Sequence, residues 1–267
     1  MSPSAFGHLI HAQAFLTISR MKPAFLLIAA ALGAFQPVAA QDAFDFFRGE
    51  TFPPARTEPA AWLLELHKAD DLLGSNIAVA EFLPNTWLKW HKHPGGQILL
   101  ITDGVGYYQE KGKQKQIVRV GDVIKCAPGV DHWHGGAAES RLTYVAISPA
   151  QKGGTVWGQV VTEEDYRSAA SDVRTTLRKP IKADATFPFD VARIELKAGK
   201  SLGWRKDTGG QIRIALDGVG YYQERDKPQQ IVRKGDVVKT AAGVEHADGA
   251  ASETGTTYLE ITPVRKP

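Results

Sequence analysis

Cysteine occurs once in the 267-residue chain, as Cys126, so no disulfide can form within it and stability has to come from packing. Basic runs are missing too. The formal charge is +3, and two of the 32 basic residues, Arg20 and Lys22, fall in an N-terminal leader, which leaves 30 basic against 29 acidic residues beyond it. A chain so close to neutral offers no electrostatic footing for nucleic acid or an anionic membrane surface. Nor is there an apolar run of the roughly 20 residues needed to cross a bilayer. The run Ala24 to Phe35 is twelve residues long. It follows Met21-Lys22 and precedes Pro37 and the small residues Val38-Ala39-Ala40, the layout of a secretory signal with cleavage after Ala40. Residues 1–20 fit no part of such a signal. Export to the periplasm is expected, with no membrane association after cleavage.

What is present points to many short strands. Glycine is frequent, at 26 residues, and Val, Ile, Thr and aromatics recur in short runs between Gly-, Pro-, Asp- or Asn-containing breaks. An all-β fold is expected, a sandwich or barrel. Residues 41–60 form a Phe- and Pro-rich arm without clear periodicity. Strands are predicted at Trp62 to His67, Ile77 to Phe82, Gln97 to Ile101, Val105 to Glu110, Gln116 to Val120, Asp122 to Cys126 and Arg141 to Ile147, with a turn at Asp103-Gly104 and a hairpin tip at Lys111-Gly112-Lys113. Between Thr162 and Arg174, an N-cap residue and three acids precede several arginines, which predicts a solvated linker helix over 161–174. Cys126 is expected to be a small core residue.

The chain repeats itself 114 residues on. Trp90 matches Trp204, Gly95-Gly96-Gln97 matches Gly209-Gly210-Gln211, and Asp103 to Glu110 reappears unchanged as Asp217 to Glu224. No gap separates the copies from Leu88 to Ile147, so two domains of one fold are expected, 61–160 and 175–267. The differences are concentrated. His91, His93 and His134 become Arg205, Asp207 and Asp248, while Gln97 and His132 persist as Gln211 and His246. Residues needed by the fold should survive in both copies; histidines that change while the surrounding glycines stay are there for chemistry. Four of the six histidines beyond the leader lie in Trp90 to Gln97 and Asp131 to His134, two apart within each segment, so their imidazoles share a strand face. Metal binding in the first copy follows. In the second copy a guanidinium cannot be a ligand and would repel a cation. There Arg205 is expected to pair with Asp207, beside Gln211 and His246, and to plug the barrel or meet an organic anion. His67 stands alone and is expected at a surface or strand end.

The two segments resemble the paired motifs of the cupin superfamily. His91-x-His93-x-x-x-Gln97 is followed by Gly104, and Gly121 by Pro128-Gly129 and His132. Asn85 stands where the first motif opens with glycine, a place held by Gly199 in the second copy, and Gln97 replaces the usual glutamate. Because both copies carry the pattern, the chain is similar to a bicupin: two tandem double-stranded β-helix (jelly-roll-like) barrels joined by a short helical linker. The Gln ligand and the Gly129-x-x-His132-Trp133-His134-Gly135 segment resemble the small manganese-dependent cupins with hydroxynitrile lyase activity that are often associated with carboxymuconolactone decarboxylase domains. That resemblance implies His91, His93, Gln97 and His132 as ligands of one divalent metal. Manganese is first in line, and Fe, Zn or Ni also suit the ligand types. It further implies His134 as the acid or base. Tyr144 lines the barrel where some of those lyases carry another histidine, which makes it the second catalytic candidate.

The function expected is therefore metal-dependent lyase or acid–base chemistry on a small molecule. The alternatives are a non-haem iron oxygenase of a small aromatic or hydroxy compound, and a non-catalytic module that binds metal or carboxylate. A homodimer through sheet edges and the Phe-rich arm is compatible with such a fold. Mass spectrometry of the exported protein should find its N-terminus at Gln41; a mature chain that still contains Ala24 to Phe35 would refute the signal.

Overall fold

In Ser75–Phe82, Gln97–Glu110 and Leu142–Pro149, apolar residues run consecutively where a strand open to water on one face would alternate. Both faces of these strands are buried. The computed structural model describes residues 61–150, 152–172 and 180–264, with the backbone of 50–51 and 57–58. The leader, the predicted cleavage site and most of the arm lie outside the described residues.

The first half is a barrel of two antiparallel sheets. One sheet joins Ala61–His67, Ser75–Phe82, Leu142–Pro149, the first part of Gln97–Glu110, and Val123–Cys126. The other joins the second part of Gln97–Glu110 to Lys115–Arg119 and His132–Gly136, with Trp87–Leu88 and His91–Lys92 on its far edge. One long strand thus belongs to both sheets. The turn expected at Asp103-Gly104 is a bulge inside that strand: the pairing with Leu142–Pro149 shifts between Thr143 and Tyr144, and Gly104 has φ 75°. The corner needs glycine, because a Cβ at Gly104 would run into the Arg141 carbonyl. The second half repeats the plan with Phe189–Leu196, Ser201–Lys206, Gln211–Glu224, Gln230–Arg233, Val237–Thr240, Glu245–Ala250 and Thr256–Pro263. Its bulge falls at the matching place, between Ala215 and Asp217, with Gly218 at φ 75°.

Alternation now assigns each residue of the apolar runs to a face. Ala80, Phe82, Leu99, Ile101, Tyr144 and Ala146 point into the first barrel. Their neighbours Ile77, Val79, Ile98, Leu100, Val145 and Ile147 point out and pack against Phe187, Phe189, Val191, Ile212, Ile214, Leu259 and Ile261 of the second half. The two barrels are fused back to back through one shared core.

The linker differs from expectation. The helix covers only Glu163–Arg167, with Thr162 as N-cap accepting from the Asp165 N–H at 3.0 Å. It is not simply solvated: Tyr166 is buried, stacks on Trp87 with centroids 4.0 Å apart, and gives its hydroxyl proton to the Gly136 carbonyl at 2.8 Å. Lys115, itself buried, donates to the Tyr166 carbonyl at the helix end. Ala170–Ser171 then pairs in parallel with Lys115 and Gln116, so this segment belongs to the first barrel's wall. The arm touches two sheet edges, Glu50–Thr51 against Trp62 and Leu63 and Thr57–Glu58 against Trp87 and Leu88. His67 ends its strand, 3.5 Å from the Leu73 carbonyl.

Ile212 is fully buried in the shared core. Ile212→Ala should cost about 2–5 kcal/mol in urea denaturation, and unfolding of the first barrel, followed by the fluorescence of its buried Trp133, should shift with it; a fluorescence midpoint unchanged in this variant would mean that the barrels unfold independently.

Candidate metal centre

The segment His91–Lys92 pairs with His132–Gly136 so that His91 lies directly opposite His132, and their rings are 4.4 Å apart. His93, two residues on, returns to the same face, its ring 5.3 Å from that of His91. Pro94-Gly95-Gly96 then reverses the chain into Gln97. The glycines are needed in both copies for the same reason: a Cβ at Gly95 or Gly209 would meet the carbonyl of Pro149 or Pro263, and Gly96 and Gly210 have φ of 82° and 71°. Asn85 and Gly199 likewise share a left-handed conformation, φ 59° and 70°, which is why asparagine can take the motif's opening glycine position.

A ring nitrogen from each of His91, His93 and His132 lies within 4.8 Å of the other two. Their orientation is set from behind. Nδ1 of His91 is 2.8 Å from the Lys89 carbonyl and Nδ1 of His132 is 3.0 Å from that of Val130. A carbonyl can only accept, so Nδ1 carries the proton in both rings and Nε2 turns a lone pair inward. His93 Nδ1 sits 3.4 Å from the Thr155 hydroxyl, and its Nε2 is buried with no hydrogen-bond partner. Gln97 donates to Ser148 through Nε2 at 3.4 Å and points Oε1 towards His132 Nε2 at 3.3 Å. Inward lone pairs, an orphaned buried nitrogen and an amide oxygen make a donor set that a divalent cation would satisfy. Because all four donors are neutral, such an ion would keep its full charge. Cys126 is buried behind this group, its sulfur 3.3 Å from His132 Nδ1, and burial raises its thiol to about 11, so it is an inert core residue as expected.

His134 stands beside the cluster, its ring 4.9 Å from His91. Its Nδ1 is 3.2 Å from the Tyr144 hydroxyl, and its buried Nε2 has no hydrogen-bond partner. Burial, reinforced by the neighbouring imidazoles, holds His91 and His134 well below the usual histidine range and lowers His93 to about 3; burial lowers His132 too. Burial alone pushes the Tyr144 phenol up. At neutral pH the site is four uncharged imidazoles and a protonated phenol. His91, His93, His134 and Tyr144 open onto a cavity of about 420 Å³ that Gln97, Ser148, Ala78, Ala146 and Trp157 also line.

In the second barrel the positions of His91, His93 and His134 hold charged side chains, Arg205, Asp207 and Asp248. Arg205 reaches Asp248 at 2.7 Å, closer than the 3.7 Å to Asp207, so the expected Arg205–Asp207 pair is the weaker contact. The sequence reading missed Arg213, which is buried and bonds both Asp248 and Glu260. The signal was available in the repeat: the inward residues Leu99 and Ala146 correspond to Arg213 and Glu260. Gln211 and His246 keep the amide–imidazole contact at 2.6 Å, with Asp207 3.4 Å from His246. Since the Gln–His pair persists where the other histidines are gone, part of its role is to close the turn. Trp157 and Thr155 were also missed; they lie past the matched repeat, and no periodicity marks them.

Residues 78–148 match the family model described as Cupin domain. An (R)-mandelonitrile lyase from Granulicella tundricola is 40% identical over 116 residues, 41% of this chain and 88% of the relative. Among solved structures, vicilin from hazelnut, Corylus avellana, shares 14% identity with a TM-score of 0.62 over 82% of this chain and 83% of its own. A mutant of oxalate decarboxylase from Bacillus subtilis shares 10% with a TM-score of 0.58 over 83% and 77%. The last two share the fold across both barrels.

The depressed histidines set a pH dependence. Their folded values lie below the unfolded value of about 6.5, so the unfolded chain binds more protons between that value and the folded one, and stability falls as pH falls through this window. For His93 the window runs from about 6.5 down to about 3. Metal-stripped protein should lose up to about 1.4 kcal/mol per pH unit for each such histidine, and His93→Gln should flatten the slope between pH 6.5 and 4.5 in urea titrations.

Proposed function

The chain belongs to the cupin family, and from that membership we propose that its first barrel is a manganese-dependent lyase that cleaves a small 2-hydroxynitrile after export to the periplasm. The observation that carries this reading is the placement of a neutral His134, backed by Tyr144, at the edge of a three-histidine cluster inside a cavity. The relative named as an (R)-mandelonitrile lyase supports the reaction class. Manganese follows from the motif resemblance, and the donor set also suits Fe, Zn or Ni.

His91, His93, His132 and Gln97 would hold the ion. When bound, it supplies a positive charge that acidifies a nearby hydroxyl and stabilises developing anionic oxygen. The chain's own residues handle the proton. His134 Nε2 takes it from the substrate hydroxyl; the O–H electron pair becomes the carbonyl π bond; the C–CN bond breaks and its electrons leave as cyanide. Cyanide then collects the proton from His134, giving an aldehyde and hydrogen cyanide. Burial keeps the His134 ring uncharged before the reaction, leaving a nitrogen lone pair for the substrate proton. The Tyr144 hydroxyl can both donate and accept, so it satisfies Nδ1 in either tautomer of His134. This His134–Tyr144 relay favours the lyase over an oxygenase, for which it has no evident use.

Elemental analysis and mandelonitrile cleavage test the reading together. Wild type and His246→Ala should each carry one equivalent of metal, and His93→Ala should lose it. His134→Ala should keep the metal and lose about 10²–10⁴-fold in kcat, with Tyr144→Phe less impaired. Metal-loaded wild type that consumes oxygen but leaves the nitrile intact would replace this reading with the oxygenase.

A further inference from the structure

The cavity is bordered by both polar and apolar side chains. Its lining mixes polar groups, the imidazoles, Gln97, Tyr144, Glu65, Asn76 and Ser148 among them, with Leu63, Ala78, Leu88 and Ala146. Ala78 and Ala146 face each other as direct partners on neighbouring strands, and their small size opens the space. In the second barrel the place of Ala146 is taken by Glu260, tied to Arg213, so the facing pair of alanines belongs to the first copy. Leu63, also in the lining, is 37% exposed.

One wall comes from outside the repeat. Val156–Trp157 runs antiparallel to His91–Lys92 and puts Trp157 opposite His91. The segment is fastened on both sides of Trp90, by Gly158 N–H to the Trp90 carbonyl at 2.7 Å and Trp90 N–H to the Gln159 carbonyl at 3.0 Å. The indole lies 5.0 Å from the His91 ring, tilted by 36°, and borders the cavity. Beside the histidines, Trp157 and Tyr144 are the aromatic side chains in the lining.

We propose that Trp157 is the specificity-determining residue of this site, selecting substrates whose apolar body is a flat aromatic ring over saturated bodies of equal size. The proposal rests on the lyase reading for its substrates, but the selection itself is a matter of binding. A ring seated against the indole gains the offset or edge contact that aromatic pairs favour, and a cyclohexyl group of the same bulk does not. Its hydroxyl end then falls towards His134 and the cluster.

The test compares wild type, Trp157→Phe and Trp157→Leu with mandelonitrile and its cyclohexyl counterpart, and measures metal content of each protein. Wild type should prefer the aryl nitrile. Trp157→Leu should lose about fivefold to tenfold of that preference, in KM and with one metal equivalent retained, and Trp157→Phe should keep most of it. A Leu variant that keeps its metal and its preference overturns the proposal, as does a loss confined to kcat, which would mean that Trp157 serves only to orient His91. Affinities for benzyl alcohol and cyclohexylmethanol, read by saturation-transfer NMR, separate this proposal from the lyase reading. If wild type cleaves neither nitrile, the lyase reading fails, and tighter binding of benzyl alcohol that Trp157→Leu abolishes still supports the selection. Equal affinity of wild type for the two alcohols refutes it, whether or not the Leu variant folds.

Discussion

The structure depends on the burial of one sheet on both faces. Ser75–Phe82, Leu142–Pro149 and the first part of Gln97–Glu110 cannot be solvated on either side, because one face fills the first barrel and the other is pressed against the second. Burying an Ile or Leu side chain contributes about 1.5–3 kcal/mol, and the shared core draws such side chains from both halves, so each barrel supports the other's wall. The site inherits this rigidity. His91 and His132 are paired across neighbouring strands, Gln97 begins the strand that belongs to both sheets, and Tyr144 projects inward beside Val145, which projects into the shared core.

Duplication let the two barrels diverge without losing this arrangement. The second barrel keeps its bulge, its Gly209-Gly210 turn and the contact of Gln211 with His246. What changed is the filling of its interior, where the buried Arg213 and Asp248 join the half-buried Glu260 and Arg205 in an ionic network. Such a network gives a barrel little net stability over an apolar filling, yet it is costly to break one partner at a time, since a buried charge is then left alone. The second barrel thereby holds its shape with Arg205, Asp207 and Asp248 where the first has histidines, and its outward face packs against the first.

The repeat made much of this legible. Two barrels, the histidine segments and the contrast between retained glycines and altered histidines followed from the ungapped alignment of the copies. Less could be read where structure depended on distant partners. Asp103-Gly104 has the composition of a turn, and only the crossing of the strand from one sheet to the other makes it a corner with a bulge. The charged run after Thr162 reads as a solvated helix; Tyr166 anchors it because Trp87, Trp133 and Tyr107, from three separate segments, meet there.

By itself the sequence determined the strand pattern, the duplication and the ligand types, because period-two alternation and an internal copy are properties of neighbouring residues. Tertiary structure decided the rest. It placed His134 against Tyr144, turned Arg205 to Asp248 in preference to Asp207, and brought Trp157 from beyond the repeat to the side of His91. Each of these contacts joins side chains from separate strands, and their separation is set by how the sheets curl and pair, which no local spacing encodes.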